Sequence, residues 1–348
     1  MSIKSAHQLP ISADLPESPA MPTSQHSSPS SPSPVVTPPR RSWVQRRIPW
    51  LYALWKFSRP HTIVGTTLSV FSLYVMAIAI GAPPLTAIIS SIPYALATWL
   101  TCLCGNIYIV GLNQLYDVDI DRINKPHLPL ASGEFSRRVG WRIVLLMGFL
   151  ALATAPIQGL ALTWTVWLSV AIGTTYSMPP MRLKRFSFWA SVCIFTVRGV
   201  IVNVGLFLHA QQILNQSRQV TPAIWALTLF ILVFTFAIAI FKDIPDLEGD
   251  RQYNITTFTV KLGPQAVFNL ARWVLTGCYV VMMVTSIWLS SVNTLVILIS
   301  HAVALGAMWS LSQRVDLRRK QSIAQFYQVI WKLFFLEYML FPIACLLA

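Results

Sequence analysis

Apolar runs of about 20 residues recur along most of this chain, near 63–82, 87–112, 143–157, 159–178, 188–209, 222–241, 266–289, 292–311 and 324–347. Each is long enough for an α-helix to cross about 30 Å of hydrocarbon, where no water can satisfy an unpaired backbone. The runs are continuous rather than alternating, so they predict helices and not barrel strands. Charged residues make up only 11% of the 348, and mean hydropathy is +0.58. A soluble domain would carry about 25% charge. The expected fold class is an all-α membrane protein, a bundle of nine transmembrane helices.

All but three of the 26 Lys and Arg residues lie before the first run, in alternate connections after it or, as Arg272 does, in the end of a run next to such a connection. The exceptions are Arg218 in an opposite loop, and Arg198 and Lys332 inside runs. Basic loops are retained on the cytoplasmic side, so the N-terminus and every second loop are expected on a cytoplasmic or stromal face, with the C-terminus opposite. The net charge of +14 then reflects topology and anionic lipid. With the basic residues scattered over membrane-flanking loops, no nucleic acid is expected as a partner. Cys102, Cys104, Cys193, Cys278 and Cys345 are odd in number, lie in apolar runs and form no CxxC pair, which predicts packing rather than redox or metal roles.

Residues 1 to about 45 are rich in Ser and Pro with no sustained apolar period, which predicts a disordered tail. Asp14 and Glu17, and the absence of Arg before Arg40, weigh against a targeting peptide. Arg40, Arg41, Arg46 and Arg47 with Trp43 and Trp50 suit an anchor at headgroup level. The expected boundaries are a tail with its anchor over 1–48 and a helical domain over 49–348.

Against this apolar background, charge is concentrated in two stretches, NQLYDVDIDRINK (113–125) and KDIPDLEGDR (242–251). At about 100° per residue, Asn113, Asp117 and Asp121 fall within about 80° on one helical face, and Asp119 points away. Asp243, Asp246 and Asp250 share a face within about 60°, with Glu248 turned away and Pro245 disturbing the helix. The same spacing separates Asp117 from Asp246 and Asp121 from Asp250, so the stretches read as two halves of one site. Both are expected at helix C-termini, whose partial negative charge favours a cation.

Converging carboxylates repel unless a divalent cation lies between them, and hard oxygen ligands suit Mg²⁺ completed by substrate phosphates. Asp117, Asp121, Asp243, Asp246 and Asp250 are the candidate metal ligands, and these five with Asn113 are the candidate catalytic residues. Lys125, Lys242 and Arg251 flank the carboxylates in sequence. Tyr176, Arg182 and Lys184, in YSMPPMRLKRF after the fourth run, are left at the same face, where Pro179 and Pro180 stop the helix. Metal and cations together would neutralise a departing diphosphate, and an apolar bundle below would hold a long hydrocarbon tail. A lipid diphosphate that loses its diphosphate at the membrane surface meets all these demands. Arg59, at the entrance to the first run in KFSRPHTIVG, is either a snorkelling cation or a further phosphate contact.

Arg198 lies deep in the fifth run, where a guanidinium costs roughly 2.5–3.5 kcal/mol on insertion scales and needs an anion. Glu337, the one acidic residue in the other runs, is the protein partner on offer. A substrate anion, the acceptor's carboxylate ahead of the diphosphate, is the expected alternative. The last three runs carry no polar cluster comparable to the acidic stretches.

NxxxDxxxD as Asn113, Asp117 and Asp121, and DxxDxxxD as Asp243, Asp246 and Asp250, resemble the two aspartate motifs of the UbiA-type intramembrane prenyltransferases, over roughly residues 50–348. The resemblance implies nine helices around a central cavity, with Mg²⁺ and a prenyl diphosphate held by the aspartates. It also places Lys125 and the basic residues of YSMPPMRLKR around the diphosphate. KFSRPHTIVGTTLSV, VGLNQLYDVDIDRINKPHLPLASGEFS, CIFTVRGVIVNVGLFLH and FAIAIFKDIPDLEGDRQYNITTFTVKLG are most similar to the homogentisate-prenylating branch. That branch implies homogentisate as acceptor, phytyl diphosphate as donor, loss of CO₂ and diphosphate, and a place on the route to tocopherols. Gln114 departs from the broader family, where Asp often follows the motif Asn. A tail shorter than a plastid leader implies a cyanobacterium-like origin, in a thylakoid or plasma membrane. A geranylgeranyl or longer donor, a chlorophyll synthase-like reaction, and an ion-coupled transporter remain as alternatives.

Overall fold

The computed structural model describes residues 43–253 and 257–348, and is built of helices. Most of the Ser/Pro-rich tail, with Arg40 and Arg41 of the expected anchor, lies outside the described residues. A short turn, Trp43–Arg47, precedes helix α1 (Pro49–Phe57), which is amphipathic. It buries Ala53 and Phe57 and exposes Trp50, Leu51 and Trp55, as an interfacial helix does. The chain then runs through α2 (Pro60–Gly81), α3 (Leu85–Tyr116), a short α4 (Val118–Asn124), α5 (Arg137–Gln158) and α6 (Leu160–Ser177).

The second half begins with α7, which runs from Ser187 to Ile213 through a π-helical turn at Thr196–Ile201. It continues with α8 (Pro222–Phe241), a short α9 (Asp243–Gln252), α10 (Pro264–Thr285), α11 (Thr294–Ser312) and α12 (Lys320–Leu346). Among the described residues, eight helices are long and apolar enough to cross a membrane. The ninth expected span, α6, forms as an 18-residue helix at the expected place, but Thr, Ser, Trp and Tyr residues make it less apolar than the others. The protein is an integral membrane protein.

The most hydrophobic span, α8, is also the most buried, at 67% of its central window against 22% for α11. A helix apolar all round belongs inside the bundle, and Ile231, Phe234, Ile238 and Phe241 of α8 are almost fully enclosed. Without a hydrophobic force between helices in lipid, small residues let backbones approach. Gly148 of α5 lies so close to Tyr108 that a Cβ would sit 2.6 Å from its ring. Gly199, in the π turn, lies against the Leu232 backbone, where a Cβ would come within 2.8 Å of Cα.

The first acidic stretch is not a single helix, as its stripe geometry assumes, whereas Asp243, Asp246 and Asp250 of the second all lie on one helix, α9. At Asp117 (φ −115°, ψ 15°) the chain leaves α3, and Asp121 lies on the following short helix. Arg182 Nη2 takes up the Tyr116 carbonyl at 3.3 Å and Asp117 Oδ1 at 3.0 Å, so a guanidinium satisfies backbone that the helix end sets free. In the second stretch Pro245 has no N–H for the carbonyl of Phe241, and its ring crowds that carbonyl, which separates α9 from α8. The expected position at helix C-termini therefore holds for Asp117, at the end of α3, and for Asp250, in the last turn of α9. Asp121, Asp243 and Asp246 stand in first turns, where the helix dipole stabilises the carboxylates themselves.

Candidate active site

Both breaks bring their carboxylates to the mouth of one cavity of about 900 Å³, which runs down among α2, α3, α6, α7, α8 and α12. Asn113, Asp117, Asp121, Asp243, Asp246 and Asp250 all line it. Asp119 and Glu248 face away, as their helical phase predicts. Asp119 is exposed and pairs with Arg122 at 2.9 Å, and Glu248 is exposed and lies 3.6 Å from Lys320.

Basic side chains interleave with the carboxylates. Asp117 is held by Arg182 at 3.0 Å and by Lys184 at 2.5 Å. Lys125 Nζ donates to Asp246 Oδ2 at 2.5 Å, and Lys242 lies 3.5 Å from Asp243. Arg59, in the left-handed region at φ 52°, reaches Asn113 Oδ1 at 3.4 Å and approaches Asp121 at 3.9 Å. Tyr176 and Arg198 line the same cavity. Arg182 stands just behind Asp117 rather than on the cavity wall, and Arg251 is exposed and not brought to the cavity.

Burial sets the proton affinities at the mouth. It raises the Asp121 carboxyl, and pushes Asp243 to about 6. Burial, reinforced by the charges of Asp243 and Asp246, takes Asp250 to about 7. Burial also lowers the Lys184 ammonium to about 8, against the pull of Asp117. The site thus holds carboxylic acids and an amine near neutrality, where a bound charge can change their protonation.

Mg²⁺ fits this donor set. All the candidate ligands are carboxylate oxygens, and among the described residues the buried Oδ2 of Asp121 has no hydrogen-bond partner, with Arg59 at 3.9 Å. Asp250 is buried without a cation within ion-pair distance among the described residues. Among the described residues no three acidic, His or Cys side chains stand close enough together to hold a metal ion by themselves. That suits an ion which keeps waters and takes phosphate oxygens, and it does not suit a structural zinc site.

Several cavity residues were not singled out from sequence. Asn106 donates to Thr62 Oγ1 at 3.0 Å, and its place two helical turns before Asn113, on the same face, was a legible signal. The last span, which carries no polar cluster comparable to the acidic stretches, still lines the cavity with Tyr327, Gln328 and Trp331. Cys102 and Cys193 line it too, while all five cysteines are free. Gln114 points elsewhere: it is buried and donates to the Phe57 carbonyl at 2.6 Å, joining α3 to the end of α1.

Arg198 is not paired with Glu337. That carboxylate lies 3.4 Å from His301 Nε2, in a buried pair between α11 and α12. Asn203, the other polar residue of the fifth run, is satisfied within the protein. It donates to the Gly199 carbonyl at 2.9 Å and accepts from Tyr338 at 2.8 Å, which braces the π turn.

A membrane-spanning bundle whose deep cavity opens at carboxylates interleaved with Lys and Arg defines the class: an intramembrane site for a molecule with an anionic head and an apolar body. The chain belongs to the UbiA prenyltransferase family, whose profile matches residues 62–336, and it is therefore a prenyltransferase. It is 53% identical over 300 residues to homogentisate phytyltransferase of Synechocystis sp., covering 84% of this chain and 96% of that one. It is 38% identical to the chloroplast homogentisate phytyltransferase 1 of Arabidopsis thaliana, covering 84% and 75%. Among solved structures, a UbiA homologue from Archaeoglobus fulgidus bound to GPP and Mg²⁺ has the same fold, with TM-score 0.55 at 18% identity, over 85% of this chain and all of that one. The structure of a digeranylgeranylglyceryl phosphate synthase aligns with TM-score 0.59 at 16% identity, over 86% and 99%.

Proposed function

We propose that this protein transfers the phytyl group of phytyl diphosphate to homogentisate, with release of diphosphate and CO₂, on the route to tocopherols. The observation that carries the reading is the mouth of the cavity, where Asp117 and Asp246, from two distant segments, are each paired with cations beside further carboxylates, above a long apolar interior. The identity to homogentisate phytyltransferases supports the choice of substrates.

In this reading Asp117, Asp121, Asp243, Asp246 and Asp250 hold Mg²⁺, which supplies charge neutralisation for the diphosphate. Lys125, Lys184, Lys242 and Arg59 bind the diphosphate oxygens and stabilise the negative charge that grows on them as the allylic C–O bond breaks, while Arg182 holds Asp117 in place from behind. Val166, Val170, Ile194, Val197 and Leu206 line the lower cavity between α6 and α7. They take the hydrocarbon tail and keep water from the allylic cation, so that the electron-rich acceptor ring captures it. Lys and Arg already paired with carboxylates are preorganised for this task. The acidic mouth lies on the cytoplasmic or stromal face of a photosynthetic membrane.

The test is an assay of purified protein in liposomes with Mg²⁺, offering homogentisate and 4-hydroxybenzoate against phytyl, geranylgeranyl and farnesyl diphosphates. Homogentisate with phytyl diphosphate should give the highest kcat/KM. Consumption of 4-hydroxybenzoate with homogentisate ignored would overturn the acceptor assignment, and a clear preference for geranylgeranyl diphosphate would overturn the donor.

A further inference from the structure

One strong cation in the cavity is not used by the diphosphate site. Arg198 stands on the π-helical turn of α7, about 16 Å along the helix from its start at Ser187. The cations that pair with carboxylates at the mouth leave it no part there, and among the described residues no carboxylate lies within ion-pair distance of it. The one acid in the spans is engaged by His301. A guanidinium at this depth requires an anion or a polarisable face.

Its surroundings supply only the face. Arg198 Cζ lies 5.3 Å from the Trp331 ring and 5.6 Å from the Phe334 ring. The His61 ring lies 4.8 Å from that of Trp331 at a 53° tilt, and Tyr327 stands edge-on 6.2 Å from the same indole. Trp331 Nε1 is buried, with the Tyr327 side chain as its hydrogen-bonding neighbour. Gly65 makes room for the guanidinium, since a Cβ there would come 3.0 Å from Arg198 Nη1. Arg198, His61, Tyr327 and Trp331 all line the cavity. A planar cation with no carboxylate partner among the described residues, set against flat rings, forms a pocket shaped for a small aromatic acid.

We propose that Arg198, with Trp331 and His61, binds the carboxylate and ring of the aromatic acceptor, at a subsite deeper than the diphosphate site and distinct from it. The inference rests on the acceptor being homogentisate, whose arylacetate supplies both the anion and the ring. A guanidinium grips a carboxylate through two parallel N–H donors, which an ammonium cannot reproduce.

The experiment measures equilibrium binding to the Mg²⁺-loaded protein in liposomes, with homogentisate, its neutral amide and phytyl diphosphate as separate ligands. Wild type should bind the acid at least about tenfold more tightly than the amide. Arg198→Gln should erase that preference while the phytyl diphosphate Kd stays within about twofold, and Arg198→Lys should fall between. Gly65→Ala adds a methyl that crowds Nη1 in a helix that tolerates alanine, and should weaken the acid severalfold without touching the amide. An Arg198→Gln protein that keeps the wild-type preference, or loses phytyl diphosphate as strongly as the acid, would overturn the subsite. If Arg198→Gln does not fold, an unchanged preference in Gly65→Ala would overturn it equally. If wild type instead consumes another aromatic acid, the assigned acceptor is wrong, and the same acid–amide comparison with that compound decides the role of Arg198 separately.

Discussion

Lys125 Nζ lies 2.5 Å from Asp246 Oδ2, a contact that spans 121 positions and joins the first acidic segment to the second. It makes the two segments one electrostatic unit at the mouth of the cavity. Removing Asp246 strips away a candidate metal ligand and leaves Lys125 unmatched. Asp246→Ala should lower kcat/KM at least about 100-fold, the scale of losing one preorganised charge at a reacting centre. Lys125→Ala should raise the KM for the prenyl diphosphate as well as lowering kcat. Steady-state kinetics with varied donor would show the split, and near-wild-type kinetics in both variants would contradict it.

Asp117 and Asp119 are two positions apart and face opposite ways. Asp117 is largely buried between Arg182 and Lys184, while Asp119 is exposed and pairs with Arg122 and Arg137. Asp117→Ala should remove most activity. Asp119→Ala should cost no more than a few-fold, because an exposed ion pair is worth about 1 kcal/mol or less. Equal losses at the two positions would contradict the assigned geometry.

Metal binding should depend on pH in one direction. Burial raises the carboxyls of Asp243 to about 6 and Asp250 to about 7, so below these values they hold protons that a cation must displace. Mg²⁺ affinity should fall as pH drops from 8 to 5.5, by up to about tenfold per unit for each proton displaced, and level off above 8. Titration calorimetry across that range reads it directly. An affinity independent of pH would show that both groups are already ionised or take no part in holding the ion.

Gln114 answers the one departure from the family pattern. Its side chain lies against the Phe57 carbonyl, away from the cavity, and ties α1 to α3. Gln114→Leu leaves that carbonyl without its donor and should destabilise the protein by about 1–3 kcal/mol, with a lowered Tm and kcat kept within a few-fold. A loss of activity at unchanged Tm would move Gln114 into the active site.

Much of this site was legible in the sequence because few positions in a membrane span tolerate a charge. Each Asp, Arg or Lys there must be matched, so Asp117, Asp121, Asp243 and Asp246 stood out by their spacing and Lys125 by its place beside them. The breaks at Asp117 and Lys242 were not read, although Pro245 marked one of them. The other depends on Arg182 capping Tyr116 from a distant loop, which helical periodicity cannot register. Tyr327, Gln328 and Trp331 were missed for a related reason. Aromatic and amide residues are common along spans, and only tertiary packing separates those that face a cavity from those that face lipid or another helix.

The central claim is that the two acidic segments act through Mg²⁺ as one site for the prenyl diphosphate. The most direct measurement is binding of an unreactive phytyl thiolodiphosphate to wild type, Asp121→Asn and Asp250→Asn, each with Mg²⁺ and with EDTA. Wild type should bind tightly with Mg²⁺ and at least about 100-fold more weakly with EDTA, and each single variant should lose most of that metal-dependent gain. Tight binding that survives EDTA, or a gain lost in one variant and intact in the other, would contradict the claim.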